Sequence, residues 1–98
     1  MTVNTTKDGT KVTVEIQGRL DTTTAPDLEK EMSAIWDEAA EMVIDIAELE
    51  YISSAGLRVL LAAQKKMNKK GGMVVKNANE SIMDIFEVTG FVDILTIQ

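Results

Sequence analysis

The chain has 98 residues, 45% of them hydrophobic, and a formal net charge of −6. That length holds one hydrophobic core and not two, and the apolar fraction argues against disorder. Histidine and cysteine are absent, which removes Ser-His-Asp and Cys-His nucleophiles, the usual zinc ligands and thiol redox chemistry, while the acidic balance disfavours nucleic acid and anionic membrane as general partners.

The N-terminus, Met1-Thr-Val-Asn-Thr-Thr-Lys7, lacks the apolar core of a signal peptide. No apolar run approaches the ~20 residues of a membrane span. A soluble, cytoplasmic protein is expected, and the absence of cysteine fits that compartment.

Thr10 to Gln17 alternates, with Val12, Val14 and Ile16 on one face and Lys11, Thr13 and Glu15 on the other. That is a half-buried strand. Asp8-Gly9 is a turn signal, so Thr2 to Thr6 is expected to pair back as a hairpin strand. Gly18 should end the long strand and Arg19-Leu20-Asp21 form a loop.

Thr24-Ala25-Pro26-Asp27 reads as a helix start, with Thr24 as cap and proline in the first turn. Leu28, Met32, Ile35 and Ala39 then recur at helical spacing, with Trp36 beside them. Met42 to Ile46 is short and almost wholly apolar, so it should be a central parallel strand. Asp45 within it is expected to hydrogen-bond neighbouring backbone.

Ala55 to Lys70 reads as a second helix with an inner stripe of Leu57, Leu60, Leu61 and Met67. Lys65, Lys66, Lys69 and Lys70 close it, where cations complement the dipole, and they should form a solvated end. Gly71-Gly72 stops it and Met73 to Val75 forms another buried strand. Asn79 or Ser81 opens a third helix carrying Ile82, Ile85, Phe86 and Val88, closed by Gly90. Ile94 to Ile97 reads as a last strand. The six methionines should be packing residues.

The order β-β-α-β-α-β-α-β indicates an α/β fold in one domain, residues 1–98, with a mixed sheet, packed helices and right-handed crossovers.

Chemistry concentrates at Tyr51-Ile-Ser-Ser-Ala-Gly-Leu57, where a strand region meets the second helix. A helix start presents unpaired backbone N–H groups. A hydroxyl there can cap them, or carry a phosphate that the helix end tolerates. Ser53 and Ser54 both qualify, and local physics alone favours a cap over a switch, because capping serines are common and phosphoswitches rare. Gly56 should keep the helix start uncrowded. Ile52-Ser-Ser-Ala-Gly56 is superficially like the nucleophile elbow G-x-S-x-G, but its first glycine is missing and no histidine can act as base. The phosphate-loop pattern is absent as well.

These segments resemble the STAS domain family, and within it the bacterial anti-sigma factor antagonists. Gly18-Arg-Leu-Asp-Thr-Thr-Thr-Ala25 is similar to the family's Gly-x-Leu-Asp-x-x-Thr-Ala segment. Val43-Ile-Asp-Ile46 followed by Tyr51 to Leu57 resembles its strand, loop and phosphoacceptor motif. Gly71-Gly-Met-Val-Val75 and Ile85-Phe-Glu-Val-Thr-Gly-Phe91 resemble its later strand and final helix.

The resemblance implies a STAS-like fold and Ser54, two residues before Gly56, as the phosphoacceptor. Asp21, Ser53, Ala55 and Gly56 are implied to lie beside it. Asp21, Thr22, Thr23, Ser53, Ser54, Leu57 and Arg58 are implied partner contacts. Many antagonists read Asp-Ser-Ser-Gly or Asp-Ser-Thr-Gly, whereas this chain has Ser53 in place of the acid and Ala55 in place of the second hydroxyl. The implied partners are an anti-sigma factor serine kinase of the GHKL type and a PP2C-type phosphatase. The chain would be a substrate, not an enzyme, with no cofactor, metal, nucleic acid or membrane. Two other expectations stand beside this one: a STAS accessory module of a transporter or nucleotide-sensing complex that is not phospho-regulated, and an unrelated small enzyme.

Overall fold

The computed structural model describes residues Met1–Gln98. Strand β1 (Thr2–Asp8) and strand β2 (Lys11–Leu20) form an antiparallel hairpin around a two-residue turn at Gly9-Thr10. Helix α1 (Ala25–Ser33), strands β3 (Glu41–Asp45) and β4 (Leu49–Ile52), helix α2 (Ser54–Asn68), strand β5 (Met73–Lys76) and helix α3 (Glu80–Thr89) follow, then a 3₁₀ turn at Phe91–Asp93. The sheet runs β1-β2-β3-β5, with β4 also paired to β2. Every pairing except the hairpin is parallel.

Alternation along β2 turns Val12, Val14 and Ile16 into the core and leaves Thr13, Glu15 and Gln17 half-buried on the opposite face. Met42 and Ile44 of β3 and Met73 and Val75 of β5 continue the inner layer in register. Helices α1 and α2 pack on each other, α2 also contacts β4 and β5, and α3 packs on β4. Met32, Met42, Met67 and Met73 are all buried in one core with Leu28, Leu60 and Phe86. Asp45 Oδ1 accepts from the Ala47 N–H and from Asn77 Nδ2, each at 3.1 Å, as its strand position suggested.

Several elements depart from the sequence pattern. The long strand does not stop at Gly18 but continues to Leu20, with a register shift between Gly18 and Arg19. Gly18 adopts φ +90°, a conformation open to glycine and strained for other residues. β4 has no periodicity to betray it, since its burial runs buried, exposed, exposed, buried. Helix α1 ends at Ser33, and successive turns carry Ile35 and Ala39 inward through bonds to the Met32 and Ile35 carbonyls.

The last strand is reduced to a single parallel bridge between Ile97 and Val75, because Ile94 and Leu95 donate back to the Phe91 carbonyl and prolong the turn. The element order is therefore β-β-α-β-β-α-β-α. Val88 does not join the α3 stripe and is 87% exposed. Lys70 is not simply solvated: its ammonium donates to the carbonyls of Trp36, Asp37 and Ala39 at 2.8, 2.8 and 3.1 Å, tying the end of α2 to the segment before β3.

At Gly56 helix α2 lies directly on Leu20 and Ile52. A Cβ there would lie 2.6 Å from Leu20 Cγ and 3.0 Å from Ile52 Cγ1. The glycine serves close packing rather than an uncrowded helix start, which corrects the expectation from sequence. Gly56→Ala is therefore expected to destabilise by about 1–3 kcal/mol through overpacking. Val88→Lys is expected to change stability by less than about 0.5 kcal/mol. Urea unfolding of the two variants checks both values.

Candidate functional site

The site is assembled by strand pairing. Arg19 lies opposite Tyr51 and Leu20 opposite Ile52 in the β2–β4 register. The Ser53 N–H extends this ladder by donating to the Leu20 carbonyl at 2.8 Å. The residues that follow, Asp21–Thr24 after β2 and Ser53–Gly56 after β4, therefore emerge side by side at the carboxyl ends of parallel strands. That is where open α/β sheets place their sites.

The two serines take different roles. Ser53 is the N-cap of α2, extended at φ −95° and ψ 174°, and its Oγ accepts from the Gly56 N–H at 3.3 Å. Its side chain is half-buried. Ser54 is the first helical residue, it is exposed, and no side-chain hydrogen bond engages its hydroxyl. The first turn of α2 carries no acidic residue, so the positive end of the helix dipole lacks a compensating charge.

The loop after β2 is organised by one carboxylate oxygen. Asp21 Oδ1 accepts from the Thr23 hydroxyl at 2.7 Å and from the Thr23 and Thr24 N–H groups at 3.0 and 3.1 Å. The Thr23 hydroxyl bond above all holds the Asp21 carboxyl below its ordinary value; desolvation opposes it and outweighs either backbone bond singly, and the Thr24 and Thr23 N–H groups and the Thr24 hydroxyl add to the lowering. Thr24 occupies the cap position of α1, but its side chain does not cap the helix. Instead Thr24 Oγ1 accepts from the Asp21 N–H at 2.8 Å and donates to the Arg19 carbonyl at 2.9 Å.

Asp21, Thr22, Thr23, Ser53, Ser54, Ala55, Gly56 and Arg58 thus lie on the two segments that the strand ends bring together. Leu57 is the exception among the expected partner contacts. It is 4% exposed and belongs to the core, because the helical turn that points Ser54 and Arg58 outward points Leu57 inward. Gly56 is buried too.

Two residues escaped the sequence reading. The Arg19 guanidinium lies over the Tyr51 ring, 4.4 Å from its centroid, and Arg19 Nε is 3.9 Å from Asp21 Oδ2. Their partnership depends on the β2–β4 register, which no local pattern reveals. Beside Ser54, Thr22, Ala25, Pro26, Glu29, Ala55 and Arg58 help line a groove of about 340 Å³ between α1 and α2.

The chain belongs to the STAS domain family, whose model matches residues 2–98. It is 34% identical over 84 residues to BtrV of Bordetella bronchiseptica, named an anti-sigma factor antagonist, covering 84% of this chain and 72% of that protein. It is 30% identical over 88 residues to the anti-sigma-B factor antagonist of Bacillus subtilis, covering 89% and 81%. The crystal structure of an anti-sigma factor antagonist from Mycobacterium paratuberculosis superposes with a TM-score of 0.88 at 27% identity, covering 98% of this chain and 83% of that one. No helix is long and apolar enough to cross a membrane.

Because the folded carboxyl of Asp21 titrates below its ordinary value of 3.8, its stabilising contribution is present above the unfolded pKa and fades as pH falls through the folded one. The stability difference between wild type and Asp21→Asn is expected to stay constant from neutral pH down to about pH 5 and to shrink below about pH 4. Denaturant melts across that range read it. In the same assay Ser53→Ala should cost about 1 kcal/mol through loss of the cap.

Proposed function

We propose that this protein is an anti-sigma factor antagonist controlled by phosphorylation of Ser54. The observation that carries the reading is the division of labour at the start of α2. Ser53 spends its hydroxyl on the cap, while Ser54 stands exposed with its hydroxyl free on a helix end that lacks an acid. The family membership and the names of the relatives support the same reading.

In this reading the unphosphorylated protein binds an anti-sigma factor that is a serine kinase of the GHKL-ATPase type, and the sigma factor is freed. The kinase transfers the γ-phosphoryl group of ATP to Ser54 Oγ. ADP leaves and the hydroxyl proton passes to the kinase. A PP2C-type phosphatase later hydrolyses the ester and restores the serine. All of this takes place in the cytoplasm, and the chain is the substrate of the chemistry, not its catalyst.

Phosphorylation adds about −1.5 to −2 charges. The unpaired N–H groups and dipole of α2 stabilise that anion locally, so the fold is kept. The cost falls on the interface, where a poorly paired charge is worth several kcal/mol and each 1.4 kcal/mol is tenfold in affinity.

The test screens the GHKL-type serine kinases of the source organism in turn. Incubation with the cognate kinase and ATP is expected to add one phosphoryl group by intact mass, to leave Ser53→Ala competent and to fail in Ser54→Ala. Modification that persists in Ser54→Ala would overturn the assignment. Ser54→Asp should weaken kinase binding at least about tenfold while leaving the thermal midpoint within a few degrees of wild type, read by calorimetric titration and a thermal melt.

A further inference from the structure

Of the ten cationic side chains in this acidic chain, only Arg19 and Arg58 are arginines, and both flank the Asp21–Thr24 loop and Ser54. Arg58 is exposed one helical turn after Ser54 and shares the α1–α2 groove with Thr22. Arg19, with a side chain 60% exposed, is held on the other side by the Tyr51 ring and by its long ion pair to Asp21. The lysines are elsewhere: on the hairpin, on β5, in the last turn of α1 and at the far end of α2.

Neither guanidinium donates a hydrogen bond within the chain, and Glu29 in the groove forms no ion pair with Arg58. The Asp21 carboxylate is largely engaged in its own loop. Free guanidinium forks pair best with planar oxyanions, bidentately where geometry allows. Tyrosine and arginine are also the residue types that anchor interfaces, and a stacked arginine has less freedom to lose on binding.

We propose that Arg19, held over the Tyr51 ring, acts with Arg58 as the specificity-determining anchor of this face by receiving carboxylates on the partner kinase. The inference rests on the proposed function and deepens it by fixing the chemistry of the partner's surface. Net charge alone points to a basic partner. This face is the part of an acidic molecule that presents guanidinium donors not spent on hydrogen bonds, so the contact surface it selects is acidic. Phosphorylation of Ser54 then acts twice: it offers Arg58 a competing anion, and it sets like charge against the partner's carboxylates.

The experiment is calorimetric titration of variants of the 98-residue chain with the GHKL-type serine kinase that modifies the wild type, with phosphorylation of Ser54 followed in parallel. Arg19→Glu is expected to weaken binding about tenfold or more. Lys11→Glu, the same charge change at the far end of β2, should stay within about twofold. Tyr51→Leu should lose about two- to fivefold as the stack is removed. If Arg19→Glu fails to fold, Arg19→Gln decides the question by the same loss. Unchanged or tighter binding by the folded Arg19 variant, with Ser54 still phosphorylated, overturns this inference and leaves the proposed function standing. Failure of every such kinase to bind or modify the wild type overturns both.

Discussion

The constraint on which the site depends is the parallel pairing of the last residues of β2 with β4. Leu20 and Ile52 face each other in the register, and the Ser53 N–H closes the ladder on the Leu20 carbonyl. Two segments some thirty residues apart in sequence are thereby delivered to one edge. Their side chains also form the seat on which α2 rests, since Gly56 packs directly on Leu20 and Ile52. Strand register, helix position and site geometry are one arrangement. A change that moved the helix off this seat would move Ser54 with it.

Under the proposed function, that rigidity suits a surface that would change its charge without changing its shape. Ser54 is carried on the first turn of a helix whose cap is already made by its neighbour, so nothing in the fold relies on the Ser54 hydroxyl. The facing loop is equally fixed, because Asp21 Oδ1 gathers the Thr23 hydroxyl and two N–H groups into a closed turn. Sites built on pre-organised elements lose little freedom when a partner docks. Under the proposed function, the same pre-organisation would let a single added dianion act on the partner and not on the fold.

The elements that sequence made legible are those whose side chains carry a period. β2 alternates, α2 and α3 show apolar stripes, and β3 is a short apolar run, so each was placed within a few residues. What escaped was decided by backbone pairing or by close packing. β4 is a strand because β2 accepts it, not because its four residues alternate. Ile94 to Ile97 has strand composition, yet its backbone is spent on a 3₁₀ turn and a single bridge. At the site, motif resemblance pointed to the Asp21–Thr24 loop and the start of α2, the two segments that the strand pairing brings side by side. Leu57 needed the phase of the helix, and Arg19 with Tyr51 needed a register that exists only once β4 is known.

The departure of this chain from the family pattern follows from the same geometry. Many antagonists carry an aspartate before the acceptor serine, where this chain has Ser53. That position is the helix N-cap, and aspartate and serine are about equally good caps, each accepting an N–H of the first turn. The substitution therefore keeps the capping function and removes a negative charge. With an aspartate there, a phosphate on Ser54 would share the helix start with a second anion and be repelled by it. With Ser53, the dipole and the unpaired N–H groups of α2 are left to the phosphate alone. Ser53 is itself poorly suited to modification, because its hydroxyl is half-buried and committed to the Gly56 N–H. The replacement thus sharpens the distinction between the two serines: the cap at position 53 is electrically neutral, and under the proposed function the added charge would be confined to the exposed hydroxyl of Ser54.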